Sequence, residues 1–327
     1  MSRAGGGAGK ASRYGAAMAS TSAPAIPFAA ACVGIAIFSA MDAVMKGLSI
    51  ELGAYNAMLW RVMAGAVMGG ALFLIRREKL PSRAAFRLHL LRGWIASMMA
   101  ILFFWGIARV PLAEGIALSF IAPLITLYLA AVMLKETIGR AAIVASLLGI
   151  AGVIVILSGR VGGGDHGPEA TRGIIAIFLS ALLYAYNLIL QRQQAQVATP
   201  SEIAFFQSLV VLMILSVAGA AALAFKQAGV VLPFAAVLPE ARYVPAILGA
   251  AFLALCSLIL LSWAYARAEA QILVTVEYTA FIWAAILGWF VFSEQVTPAV
   301  IWGTLLIITG CIIAARQKPE RIEAGQV

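Results

Sequence analysis

Apolar runs of about 20 residues recur along almost the whole chain, and about 20 residues at 1.5 Å each is what an α-helix needs to cross bilayer hydrocarbon. Lipid offers no water to backbone N–H and C=O groups, so a chain of such runs folds as helices that satisfy themselves internally. Hydropathy places ten of them, at 28–48, 54–75, 88–108, 113–134, 140–158, 172–191, 202–225, 243–265, 269–292 and 296–315. The thinnest divisions are the turn 109–114 and the junction 267–271. A composition of 63% hydrophobic and 11% charged residues excludes an ordinary soluble domain. The expected fold is an all-α integral membrane protein with ten transmembrane helices.

A net charge of +9 would suggest nucleic acid as a partner if it were spread over a soluble surface. Here the charge follows the membrane. With the N-terminus inside, the inner segments hold Arg3, Lys10, Arg13, Arg76, Arg77, Lys79, Arg83, Arg87, Lys135, Arg140, Arg192, Arg267, Arg316, Lys318 and Arg321. The outer segments and helix ends hold Lys46, Arg109, Arg160, Arg172, Lys226 and Arg242, while Arg61 and Arg92 fall within spans. The positive-inside rule then puts both termini in the cytoplasm of a bacterial inner membrane and leaves no role for nucleic acid. Cys32, Cys256 and Cys311 all fall in spans and read as small core residues.

An internal repeat sets the organisation. The stretch 128-YLAAVMLKETIGRAAIVASLLGIAGVIVIL-157 runs parallel to 286-ILGWFVFSEQVTPAVIWGTLLIITGCIIAA-315, with Glu136 matching Glu294 and Gly152 matching Gly310. In the same way 60-WRV-62 matches 206-FQS-208. The reading is a flexible tail over 1–27, five spans over 28–158, a glycine-rich linker over 159–171, five spans over 172–315 and a tail over 316–327. Five is odd, so the second half enters the membrane inverted, an arrangement of secondary transporters that place their site near the midplane. The loop 226–243 is apolar for an exterior connection; it either lies on the membrane surface or folds over the outer mouth of a cavity.

The segments 38-FSAMDAVMK-46, 60-WR-61, 91-LRG-93, 111-PLAEGIALSFIAPLITLYLAAVMLKE-136 and 277-EYTAFIWAAILGWFVFSEQ-295 resemble the EamA-domain branch of the drug/metabolite transporter superfamily. The resemblance covers about 28–315 and implies two inverted five-helix repeats, a central cavity, no ATPase, and a small organic metabolite as substrate. Within the branch it points toward carriers labelled for uptake of riboflavin-like or S-adenosylmethionine-like compounds. No cofactor is implied, and a homodimer is left open.

An ionisable side chain at mid-bilayer costs about 2.5–3.5 kcal/mol on insertion scales and persists where it faces a bundle interior. Asp42 and Lys46, four apart on one helical face, are expected to pair or to share a polar cluster. If Lys46 snorkels to the interface, Arg61 becomes the partner of Asp42. Arg61 and its repeat counterpart Gln207 are the expected substrate contacts, since a guanidinium grips carboxylate or phosphate bidentately. Glu277 is the expected coupling residue. Asn187, Tyr278 and Trp283 complete the candidate binding set. Arg92 and His89 read as interfacial, and Glu136 and Glu294 as helix caps. Neither a metal-spaced His/Cys cluster nor a nucleophile motif supports the alternative of a membrane-embedded enzyme acting on a lipid-linked substrate.

Overall fold

The computed structural model describes residues 25–134, 140–161, 167–195, 197–227, 234–265, 267, 276 and 279–315. These residues form helices and no strand. In chain order they are α1 (Ala25–Ile75), α2 (Arg83–Ile107), α3 (Leu112–Ser119), α4 (Ile121–Leu134), α5 (Arg140–Val161), α6 (Pro168–Ala195), α7 (Pro200–Gln227), a 3-10 turn (Ala241–Tyr243), α8 (Val244–Tyr265), α9 (Thr279–Phe292) and α10 (Pro298–Ala315). Among the described residues, five helices are long and apolar enough to cross a membrane, and shorter apolar helices accompany them.

One departure from expectation is at 49–53, where a connecting loop was expected. The helix instead continues to Gly53, the one residue in α1 with non-helical angles (φ 77, ψ 150). Backbone in that region is open to glycine and very costly for other residues. The chain therefore reverses on a single residue, leaving about 28 residues before the break and about 22 after it, each enough to span. The interruption between α3 and α4 falls at Phe120, whose N–H turns to Ala117 O and Leu118 O, as a proline inside the expected span 113–134 predicts. Pro123 explains it: a proline has no N–H for the carbonyl four residues back, which is Ser119, the last residue of α3.

Packing falls into matched couples. Helix α1 lies mainly on α8, and α6 mainly on α2; α9 leans on α1, and α4 on α6; α5 pairs with α10, and α3 with α9. Several crossings are close because glycine stands at them. An added Cβ on Gly152 of α5 would lie 2.5 Å from Gly303 O of α10, and one on Gly303 would lie 2.5 Å from Gly152 O. The second segment of α1 crosses α7 with Gly65 against Ser208 and Gly69 against Phe205, so these helices run antiparallel.

The ends of the bundle are tied differently. At the Gly53 end, Tyr55 Oη donates to Leu215 O at 2.8 Å and Arg109 pairs with Glu169. The described part of the apolar loop, 234–240, folds back onto α1: Trp60 Nε1 donates to Val237 O at 2.9 Å, and Asn56 bonds Ala235 O and Val237 N. At the opposite end, where α1 begins, Ser201 Oγ donates to Glu78.

Candidate functional site

Helix α1 carries a polar seam. Ser39, Asp42, Lys46 and Ser49 follow at intervals of three or four, which places them on one helical face, and all four are buried at 4% exposure or less. Asp42 faces Arg61 across the Gly53 reversal: each is the main charge acting on the other, yet no hydrogen bond joins them. Arg61 makes one weak contact, from Nη2 to Met58 Sδ at 3.3 Å. Asp42 Oδ1, Arg61 Nε, Gln207 Oε1 and the hydroxyls of Ser39, Ser49 and Ser262 are buried without hydrogen-bond partners. Leaving such an atom unsatisfied costs about 1–3 kcal/mol. A carboxylate and a guanidinium held near each other but unbonded are arranged to accept a third body.

The expected pairing of Asp42 with Lys46 does not form. Lys46 is 3% exposed, so it does not snorkel. Its Nζ bonds Glu294 Oε1, donates to Val110 O at 2.7 Å and lies over the Phe292 ring. The other oxygen of Glu294 accepts from Leu112 N at 2.7 Å, which satisfies a backbone donor at the buried N-terminus of α3. Local backbone aims that carboxylate. After α9 ends, Ser293 takes a left-handed φ of 55, and Glu294 N–H turns back to Gly288 O. Spacing along one helix could not reveal this, because the stronger partner comes from a distant part of the chain, just beyond α9.

A second polar group, missed by sequence reasoning, lies at the opposite end. Arg92 is 3% exposed rather than interfacial, and its guanidinium is surrounded by amides of α6: Nε to Asn187 Oδ1 at 3.2 Å, Nη1 to Gln194 Oε1 at 2.6 Å and Nη2 to Gln191 Oε1 at 3.2 Å. Gln194 Nε2 reaches His89 Nδ1 at 2.5 Å, His89 Nε2 reaches Glu202 Oε1 at 2.9 Å, and the imidazole stacks on Phe206. Asn187 is thus engaged by Arg92. The signal was legible as spacing: 187, 191 and 194 form one polar stripe on an apolar helix, and 89 and 92 share a face of α2.

The other expected residues divide in three ways. Trp283 lies with Ile282, Ile286, Trp289 and Phe290 on the exposed stripe of α9, which removes it from the interior. Gln207 does not meet Arg61: the antiparallel crossing sets it opposite about residue 66, a turn and a half away. Glu277, Tyr278 and Glu136 lie outside the described residues. An apolar cleft of about 360 Å³ between α9 and α10, lined by residues including Thr279, Ile301 and Leu305, holds none of the charged groups.

The model of the EamA-like transporter family matches residues 25–158 and 171–316. The chain belongs to that family. It is a multi-pass membrane protein of transporter lineage, as the resemblance implied. It is 26% identical over 283 residues to a pseudopaline exporter of Pseudomonas aeruginosa, covering 86% of this chain and 93% of the relative. It is also 28% identical over 97 residues to an aromatic amino acid exporter of Ancylobacter novellus, covering 30% and 34%. A solved crystal structure superposes with a TM-score of 0.59 at 18% identity, covering 89% of this chain and 96% of its own, and supports the fold alone. Both relatives named for a substrate are exporters, which gives the uptake reading no support among these members of the family.

Proposed function

We propose that this EamA-family protein is a secondary active carrier that exports a small organic metabolite bearing both positive and negative groups. The observation that carries the reading is the unbonded Asp42–Arg61 couple, buried among hydroxyls that also lack partners. A ligand ammonium would be met by Asp42 and a ligand carboxylate by Arg61, whose planar fork suits a bidentate grip. One exporter that resembles this chain is named for aromatic amino acids, which are zwitterions, and that is in keeping with a zwitterionic cargo.

In this reading the chain makes ten spans as two inverted halves, 28–158 and 172–315, joined by the linker 159–171, with both tails on the cytoplasmic side of a bacterial inner membrane. The matched couples of helices support it, because exchanging the halves converts the α1–α8 contact into α6–α2 and the α9–α1 contact into α4–α6. Rocking one half against the other would expose the Asp42–Arg61 region to each side in turn.

The test is a thermal-shift screen of purified protein against amino acids, pseudopaline, nucleosides, flavins, S-adenosylmethionine and sugars, since a ligand stabilises by mass action whatever the direction of transport. A zwitterionic hit that disappears in both Arg61→Gln and Asp42→Asn supports the site. A hit unaltered in both moves the site elsewhere.

A further inference from the structure

The hydrogen-bond order around His89 is fixed by chemistry. An arginine has only donors, so the atom of Gln194 that meets Arg92 Nη1 is its carbonyl oxygen and the atom that meets His89 Nδ1 is its amide nitrogen. Nδ1 is therefore an acceptor. The one imidazole proton sits on Nε2 and is donated to Glu202 Oε1. The chain runs in one direction, from Arg92 through Gln194 and His89 to Glu202, and it joins α2, α6 and α7 at the end of the bundle where α1 begins.

A second proton on this imidazole has to go to Nδ1, where it would face the Gln194 amide N–H. Turning the amide over only moves the clash, because its NH2 group would then point at Arg92. The closed arrangement therefore admits one imidazole proton and no more. The charges around His89 are Glu202 from α7, which attracts the second proton, and Arg92 from its own helix, which repels it; Tyr184 of α6 acts on Arg92, and Glu78, after α1, is bonded to Ser201.

We infer that His89 is a proton-binding site linked to opening of this end: a proton taken from water onto Nδ1 breaks the Gln194–His89 link, one of the ties between α2 and α6 beside those of Arg92, and so shifts this end toward an open form, and closure returns the proton. The geometry stands by itself, and its use in driving transport rests on the carrier reading. By linkage, acid favours the open form of this end, and whatever opens this end takes up a proton. The coupling role expected of Glu277 thus has a second candidate from the other half of the chain.

The test needs no substrate, so it fails separately from the carrier reading. Nitroxide labels are placed on the full chain at Arg87→Cys and Val197→Cys, both exposed at this end, with Cys32, Cys256 and Cys311 replaced by serine. Their distance distribution is measured between about pH 8 and about pH 5.5, the range in which histidine titrates. The expected result is a longer-distance population that grows with acid, by at most about tenfold per pH unit, the limit for one proton. His89→Gln copies neutral histidine, with Oε1 accepting from Gln194 and Nε2 donating to Glu202, and stays closed throughout. Gln194→Glu accepts from both Arg92 and a protonated Nδ1, so acid no longer opens it. Acid-dependent opening that persists in either variant, or its absence in the parent, overturns the inference.

Discussion

Lys46 of α1 and Glu294, just beyond α9, meet as an ion pair although 248 residues separate them in the chain. The pair also holds the turn between α2 and α3 through Val110 O and Leu112 N, so three parts of the chain depend on it. The lysine side chain is 4% exposed and the glutamate side chain 17%, so the two ends of the pair lose different amounts when the other is removed.

Glu294→Gln strands a buried ammonium and is expected to lower stability by about 3 kcal/mol. Lys46→Met should cost less, because Glu294 keeps its Leu112 N–H and reaches water. The double variant should be close to Lys46→Met. Unfolding in mixed micelles measures all three, and equal losses for the two single variants would show that the pair is not the source.

Backbone angles give a second prediction. Ser293 sits at φ 55 and Gly53 at φ 77. Ser293→Gly relieves left-handed strain and should stabilise by about 0.5 kcal/mol after the entropy of glycine is subtracted. Gly53→Ala should destabilise by about 1–3 kcal/mol. Since nothing lies within 4 Å of the added Cβ, that cost is conformational and no neighbouring substitution should rescue it.

Glycines at crossings behave differently. A Cβ on Gly93 would lie 2.3 Å from Val210 Cγ1, whereas one on Gly152 meets the Gly303 carbonyl. Overpacking costs about 1–3 kcal/mol. Gly93→Ala should be rescued by Val210→Ala, but Gly152→Ala should not be rescued by Ile307→Ala, since a backbone oxygen remains. Thermal denaturation of the four variants tests the distinction.

Trp283→Ala, on the exposed stripe of α9, should leave any ligand-induced thermal shift unchanged. Arg61→Gln should abolish it. Loss of the shift in the tryptophan variant alone would place the ligand at the α9 surface.

Hydropathy reads helices well because lipid leaves the backbone no alternative. It was therefore sufficient for the apolar runs, and the positions of Asp42 and Arg61 marked them as interior groups. Partners were less legible. Lys46 had an acid four residues away on its own helix, and only tertiary structure shows that Glu294 comes closer. His89 and Arg92 lie within three turns of the start of α2, where hydropathy assigns charged residues to the interface; their burial depends on α6 and α7 crossing over them. The reversal between the first two spans was legible at 49–53, but its compression onto Gly53 was not, because the flanks 49–52 and 54–56 are compatible with helix on either side.

The interlocking of early helices with late ones sets an order on biosynthesis. When α1 leaves the ribosome, neither α8 nor Glu294 has been translated, so Asp42 and Lys46 enter the membrane long before the groups that enclose them exist. The nascent first half must be shielded during that interval by the insertion machinery or by transient water. A chain released prematurely after α5 would carry Lys46 without its carboxylate partner, a mark by which a membrane protease can distinguish an unfinished product from a complete one.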